Sequence, residues 1–294
     1  MTESVLVRRS LGCRLRKLRV AAGMSQSTAG RIVELSPQSI GRLENGQTTR
    51  VSSLHIVALC DAYKGSDDDK RAVLSLSQAM RGTRAADDAW WNTYADVAPK
   101  GFDRYLALEQ AASTIITFDN TKVPVLLRTA EYHRAGLKIL HPQDSTADFD
   151  RRVDIAVRRQ KRLRDNGFNT QVFLSQSVLH HPVGSPAVMS TQLSHLGDLS
   201  RLPNVSIRII PRVAGNDIGL YIERFCLLEF GILPATGLPE PPIVYVESLT
   251  EDRYLERDHE VDRHLRAATS LDHAALDEDE SRTLIGEIAR RYRR

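Results

Sequence analysis

The segment that most constrains the fold of this chain is residues 24–46, MSQSTAGRIVELSPQSIGRLENG. Its spacing fits a helix of eight residues at 26–33, followed by a three-residue turn and a second helix. Ser36 followed by Pro37 is typical of a capped helix start, and Gly46 provides a helix end. This spacing predicts two short helices joined by a tight turn, the helix-turn-helix arrangement in which the second helix enters a DNA groove.

The second helix of this segment has two faces when its residues are placed about 100° apart. Gln38 and Arg42 lie about 40° apart on one face, while Ile40, Leu43 and Glu44 lie on the opposite side. A glutamine amide matches the edge of adenine, and a guanidinium matches O6 and N7 of guanine. We therefore expect Gln38 and Arg42 to read bases and the opposite side to pack inward.

Apolar residues at helical spacing predict further helices around this pair. Leu11 and Leu15 indicate a helix before it, and Val57 and Val73 fall within two helices after it. The small and polar residues 81–88, RGTRAADD, predict a linker. The predicted organisation is an all-α, five-helix domain at 1–80, the linker at 81–88 and a second domain at 89–294.

Beyond the linker, strand-like and helical segments alternate, which predicts a mixed α+β domain and a multidomain chain. The predicted strands are 114–118, 171–174, 205–210, 225–230 and 243–247. The predicted helices are about 129–141, 147–165, 186–200, 258–271 and 279–292. Alternation within VSIRII places Val205 and Ile207 opposite Arg208, which predicts a sheet with one solvent-exposed face. Residues 234–242, PATGLPEPP, predict an irregular loop.

Charge is distributed unevenly along the 294 residues. Residues 1–86 hold 14 Lys and Arg against 7 Asp and Glu, whereas the remaining residues hold 26 against 30. A basic first third is typical of a module that binds a polyanion, and together with the helix-turn-helix spacing it predicts double-stranded DNA as the partner.

The segment 24–46 resembles the lambda-repressor-like (Cro/XRE) helix-turn-helix family, and LENG at 43–46 is close to the phage-repressor version. The resemblance implies that Gln26 binds a backbone phosphate and that Gln38, Ser39 and Arg42 contact bases. It also implies a two-fold symmetric homodimer on DNA. The residues that it places on the loop contacting the backbone are Asn45, Thr48 and Arg50.

Two further expectations come from this resemblance. Glu34 stands where the family usually has a glycine, which predicts a less tight turn. Glu44 points inward, and an inward charge is costly unless it is paired. Because matching arginine and glutamate residues of the phage repressors form a salt bridge, we expect Arg19 and Glu44 to form a buried ion pair.

Segments of the second domain resemble the long C-terminal domain of WhiJ-like regulators of actinomycetes. The segments that carry the resemblance include WWNTYADV (90–97), HHPVGSPAVMSTQLSHLGDLSRLPNVSIRIIP (180–211) and VYVESLTEDRYLE (244–256). The resemblance implies a DNA-binding regulator, often encoded beside a small partner protein in an antitoxin-like arrangement.

Other patterns have competing interpretations. Trp90, Trp91 and Tyr94 could line a ligand pocket, but packing of the core is the more frequent role of such a cluster. His180 and His181 lack the carboxylates of a metal site, so neither a metal nor a cofactor is predicted. The basic residues of 151–164 alternate with aspartates, which favours a solvated charged face over a second DNA contact.

The favoured hypothesis is a dimeric, sequence-specific transcription regulator whose C-terminal domain binds an effector or a small companion protein. The alternative is an antitoxin-like protein that sequesters a small companion and regulates its own operon. An enzyme fused to a DNA-targeting module is a third hypothesis, although no catalytic motif supports it. The charged N-terminus, three dispersed cysteines and the lack of a long apolar run predict a cytoplasmic protein without a membrane span.

Overall fold

The first third of the chain is helical, as its apolar spacing and polar caps predict. The structure, a computed structural model, describes residues 3–47, 51–82, 89–99, 101–213 and 218–293. The N-terminal helices are α1 (Glu3–Ala21), α2 (Gln26–Ile32), α3 (Pro37–Glu44), α4 (Ser53–Ala62) and α5 (Asp67–Gly82). A mixed sheet with helices follows, so the predicted fold class is confirmed.

The chain forms two compact units, and neither is a continuous stretch of sequence. The first unit contains Met1–Asn92, Asp103–Ala111 and Gly231–Glu240. The second contains Thr93–Phe102, Ala112–Phe230 and Pro241–Arg294. The boundaries predicted from the sequence, 1–80 and 89–294, stay predictions, and residues 83–88 of the predicted linker lie outside the described residues.

The first unit is built around apolar side chains that are almost completely buried. Leu11 and Leu15 of α1, Ile40 of α3, and Ile56 and Leu59 of α4 have at most 1% of their surface exposed. Two segments from later in the sequence belong to the same unit. They are most of α6 (Phe102–Ala111) and a short hairpin of β5 (Ile232–Leu233) and β6 (Leu238–Pro239).

The hairpin and α6 differ from the sequence-based expectation. The prediction of an irregular loop at 234–242 is wrong in part, because β6 lies within this range. Strand β6 pairs with β5, and Leu238 lies opposite Leu233. The backbone N–H of Glu240 also donates to the carbonyl of Gly231, 3.2 Å away, which closes the base of the hairpin. Helix α6 was not predicted.

The second unit contains a six-stranded mixed sheet in the order β3-β2-β1-β4-β7-β8. Its strands are β1 (Thr114–Asp119), β2 (Asn169–Ser175), β3 (Val205–Ile210), β4 (Phe225–Glu229), β7 (Ile243–Val246) and β8 (Arg253–Leu255). Strands β1, β2 and β3 are parallel, and β4, β7 and β8 continue the sheet in antiparallel pairs. Its helices are α7 (Ala130–Leu140), α8 (Thr146–Gln160), α9 (Pro186–Leu199), α10 (Asp258–Ala274) and α11 (Glu278–Arg291).

The prediction that one face of this sheet is exposed to solvent is wrong, because α10 packs against that face. Phe118, Phe173 and Phe225 on the sheet form one buried cluster with Leu271 of α10. The guanidinium of Arg208 lies over the ring of Phe173 and donates to the backbone carbonyls of Asp272, Ala275 and Leu276 at 2.8–2.9 Å. The guanidinium therefore satisfies the C-terminal carbonyls of a helix, where a positive charge is stabilising.

Candidate nucleic-acid interface

The two helices of the candidate interface begin at well-formed caps. The hydroxyl oxygen of Ser25 accepts from the N–H of Thr28 at 3.0 Å, and that of Ser36 accepts from the N–H of Ser39 at 3.1 Å. Pro37 occupies the first turn of α3, where its missing N–H has no cost. These caps fix where α2 and α3 begin and therefore which residues of α3 face outward.

The turn between α2 and α3 keeps the backbone conformation that a glycine would adopt. Glu34 has φ of 55°, in the left-handed region that a side chain other than glycine adopts at a cost of about 1 kcal/mol. The less tight turn expected from the glutamate is therefore not seen.

The faces of α3 separate as the helical spacing predicts. Ile40, Leu43 and Glu44 are buried, whereas Gln38 and Arg42 are exposed. Within the described part of the chain, the side chains of Gln38 and Arg42 have no intramolecular hydrogen bond or ion pair. Their donors and acceptors are therefore available to a ligand.

The other residues proposed for DNA contact differ in their surroundings. Asn45 is exposed at the end of α3. Ser39 is half-buried, and its hydroxyl lies 2.9 Å from the hydroxyl of Ser36, so it is part of the helix cap. Thr48 and Arg50 lie outside the described residues.

A buried ion pair holds α3 from its inner side. Nε and Nη2 of Arg19 donate to the two carboxylate oxygens of Glu44 at 2.5 and 2.9 Å, and Nη1 donates to the carbonyl of Met24 at 2.6 Å. The arginine and glutamate side chains are only 11% and 2% exposed. The hydrogen bond to Glu44 raises the pKa of Arg19, so the pairing stabilises the charged form of the guanidinium.

Gln26 and Tyr63 lie beside this ion pair. Nε2 of Gln26 donates to Oε2 of Glu44 at 2.9 Å, so the amide proposed for a phosphate is also bound to α3. Burial, followed by the charge of Glu44, raises the pKa of Tyr63 to about 12. Helices α1 and α2 thus contribute polar side chains to the support beneath α3, and the sequence indicated only the Arg19–Glu44 pairing.

Gly12 of α1 allows a close contact with α3 that the sequence analysis did not predict. A Cβ placed on Gly12 of α1 would lie 2.4 Å from the carbonyl oxygen of Leu43 and 2.7 Å from that of Glu44. Helices α1 and α3 therefore approach each other at backbone contact. The sequence alone does not indicate this role for Gly12. A glycine within a helix usually lowers the stability of the helix, and no pattern in the sequence shows that another helix packs against it.

Gly12→Ala is expected to destabilise the first unit by about 1–3 kcal/mol, because the added methyl forces the two helix backbones apart. Gly136→Ala in α7 is the matched control. Nothing lies within 4 Å of a Cβ at Gly136, so this change should be neutral or stabilise by up to about 1 kcal/mol. Denaturant unfolding of both variants checks the prediction, and equal effects would contradict the close approach.

In the second unit, most of the candidate residues are held by intramolecular contacts. Arg151 pairs with Asp96, Arg152 pairs with Asp144, and Arg158 pairs with Asp154. The tyrosine hydroxyl of Tyr94 also donates to Asp154. Three of the four arginines of α8 thus form intramolecular ion pairs. In the first unit, the rings of Trp90 and Trp91 lie edge to face with centroids 5.5 Å apart.

Metal ligation and membrane insertion find no support in the described residues. Among the residues whose placement is given, no three His, Cys, Asp or Glu side chains are grouped to hold a metal ion. None of the helices described there is both long and apolar enough to cross a bilayer. The backbone carbonyl of His180 accepts from the hydroxyl of Tyr292 at 3.1 Å, which gives this segment a structural contact.

Two family models match the chain. A model described as a helix-turn-helix domain matches residues 10–74, and this match indicates a DNA-binding regulator. A model described as a domain of unknown function, DUF5753, matches residues 102–287, more than half of the chain. No curated protein and no solved structure matches the chain.

Proposed function

Because the chain belongs to the DUF5753 family and carries a helix-turn-helix domain, we propose that it is a sequence-specific transcription regulator that reads DNA with α3. The observation that carries the proposal is the outer face of α3, where Gln38 and Arg42 are exposed and have no partner among the described residues. The opposite side of the same helix is fixed by the buried Arg19–Glu44 pair. A rigid helix with free polar groups is what base recognition requires.

Each polar residue of the interface has a distinct proposed role. Gln38 bonds an adenine edge, and Arg42 bonds O6 and N7 of a guanine. Ser39 adds a short contact beside them, while Asn45, Thr48 and Arg50 contact the sugar-phosphate backbone. Backbone contacts supply affinity without sequence preference.

Gln26 is proposed to contact a phosphate with the amide N–H that Glu44 does not use. A primary amide carries two N–H donors, and the hydrogen bond to Glu44 occupies one of them. The same side chain would then connect the phosphate to the support beneath α3. Gln26→Ala is therefore expected to weaken binding to all sequences.

The proposal extends to assembly and to the second unit. The chain acts as a cytoplasmic homodimer, so that two α3 helices meet half-sites one DNA turn apart. In this proposal the C-terminal DUF5753 region binds an effector or a small companion protein and performs no catalysis. Affinity for DNA falls with added salt, because bound phosphates release their counterions.

Selection of binding sequences from a random duplex library tests this proposal. We expect enrichment of inverted half-sites whose centres lie about 10–10.5 base pairs apart, or a multiple of that spacing. Recovery of one asymmetric half-site would contradict the dimer. If selection succeeds only with a small companion protein present, the antitoxin-like alternative is favoured over direct regulation.

A further inference from the structure

Arg128 is a buried cation, and no carboxylate of the described residues lies close enough to form an ion pair with it. It lies between β1 and α7 and has 8% of its surface exposed. Its Nε donates to the carbonyl of Val123 at 2.6 Å, and its Nη1 lies 3.1 Å from Nδ1 of His133. Among the described residues, no carboxylate oxygen lies within 4.0 Å of its guanidinium.

The guanidinium therefore has unused hydrogen-bonding capacity. An arginine carries five N–H donors, and the contacts to Val123 and His133 occupy two of them. The ring of Tyr132, whose centroid is 5.9 Å from Cζ, covers one face without accepting an N–H. Among the described residues the other three N–H donors have no partner, and a buried guanidinium charge is stabilised when a group of opposite charge binds it.

Neighbouring groups increase the positive charge around Arg128. Burial, followed by the charges of Arg128 and Arg159, lowers the pKa of His133 to about 3, so its ring is neutral and Nδ1 accepts from Arg128. Lys122 is nearby, and burial lowers its pKa as well. The environment is thus one in which additional negative charge would be stabilised.

Two acidic residues, Asp119 and Glu247, act on Arg128 electrostatically, but both are already engaged elsewhere. Oδ1 of Asp119 accepts from the backbone N–H groups of Thr121 and Lys122 at 2.9 and 3.0 Å. Glu247 pairs with Nη1 of Arg224 at 2.6 Å and with Nζ of Lys122 at 3.4 Å. Neither carboxylate lies close enough to neutralise Arg128 directly.

These residues lie at the same end of neighbouring strands of the sheet. Asp119 ends β1, and the register pairs Phe118 of β1 with Phe225 of the antiparallel β4. Arg224 precedes β4, and Glu247 follows β7, which pairs with β4. This is the end of the sheet at which the parallel strands have their carboxyl termini, and ligands of open α/β sheets bind outside the carboxyl ends of the strands.

We propose that Arg128 and His133 form a binding site for a small molecule that carries a carboxylate or phosphate group. The oxyanion accepts the unused N–H donors of Arg128, and Lys122 adds long-range attraction. The neutral His133 holds the guanidinium in place by accepting from Nη1. This site deepens the proposed function, because it identifies the chemical class of the effector of the second unit.

The test is a titration of the full chain with inorganic phosphate, and separately with acetate, at an ionic strength matched with chloride. We expect a saturable rise in melting temperature of about 3 °C at ten times the dissociation constant. The anion with the stronger effect distinguishes a phosphate-bearing effector from a carboxylate-bearing one. A chain that responds to neither anion beyond the chloride control would overturn the proposal.

The matched variants are Arg128→Gln and Arg134→Gln. Arg134 lies on α7 and pairs with Asp150 on the surface, so its replacement should leave the anion response unchanged. Arg128→Gln should abolish the response. If Arg128→Gln keeps the wild-type response, the assignment of the site is wrong.

Nuclear magnetic resonance of the histidine rings of the wild-type chain gives a readout that does not depend on a folded variant. Bound anion should raise the pKa of His133, because it neutralises part of the charge on Arg128. An unchanged His133 signal at saturating phosphate and acetate would also overturn the site. These measurements contain no DNA, so a failure of DNA binding would contradict the proposed function and leave the anion site standing.

Discussion

Glu44→Ala is expected to destabilise the first unit by about 3–5 kcal/mol and to abolish DNA binding at ordinary temperature, although Glu44 lies on the opposite side of α3 from Gln38 and Arg42. The change leaves the guanidinium of Arg19 buried without its carboxylate and removes the acceptor for Gln26. A loss of this size is comparable to the whole stability of a small domain.

Tryptophan fluorescence is a selective measurement for this prediction. The chain contains two tryptophans, Trp90 and Trp91, and both belong to the first unit. Asp61→Asn is the control, because Asp61 pairs with Lys70 at 2.8 Å on the surface and should contribute about 0–1 kcal/mol. A Glu44→Ala protein with a wild-type fluorescence transition would refute the role of the buried pair.

A double variant separates the loss of charge pairing from the loss of packing. Arg19→Met with Glu44→Leu replaces the buried pair by apolar side chains of similar size. We expect this variant to recover more than half of the stability lost in Glu44→Ala, because no buried charge remains unpaired. Failure to recover would indicate that the hydrogen bonds to Met24 and Gln26 carry most of the effect.

Glu240→Ala is expected to destabilise the same unit by about 3–5 kcal/mol, although residue 240 lies far beyond the matched helix-turn-helix residues 10–74. Oε1 of Glu240 lies 2.6 Å from Nη1 of Arg9 on α1, and the two side chains are 1% and 4% exposed. The β5–β6 hairpin that ends at Glu240 is part of the first unit. Truncating Glu240 leaves the Arg9 charge buried.

The fluorescence transition of Trp90 and Trp91 again provides the measurement for Glu240→Ala. Glu223→Gln is the control, because Glu223 pairs with Arg253 on the surface, where 70% and 52% of these side chains are exposed. The control should leave the transition in place. Equal transitions for Glu240→Ala and Glu223→Gln would show that the hairpin contributes nothing to the helical unit.

The sequence predicts much of the fold because its signals are local. Caps at Ser25 and Ser36 fix the beginnings of α2 and α3, and β3 spans Val205–Ile210 as predicted. The two faces of α3 follow from helical spacing alone. The orientation of Gln38 and Arg42 could therefore be predicted without knowledge of the rest of the chain.

The features that the sequence does not predict depend on contacts between distant residues. Arg9 and Glu240 are 231 positions apart, and no local pattern relates them. The prediction of a solvent-exposed sheet face was wrong because Arg208 donates to carbonyls at the C-terminal end of α10. The alternation of polar and apolar residues in β3 had assigned this polar residue to solvent. The close approach at Gly12 and the buried charge of Arg128 likewise depend on the packing of separate elements.

The central claim, that α3 reads bases, is tested most directly by the affinity of Arg42→Ala for the selected operator and for each of its single-base variants. Arg42→Ala should lose about 1–3 kcal/mol on the operator and become indifferent at one base pair of each half-site. Arg71→Ala on α5 is the control for lost surface charge, because Arg71 is exposed and lies off α3. If Arg42→Ala weakens every variant equally and keeps the wild-type preference, Arg42 contacts only the backbone and the account is contradicted.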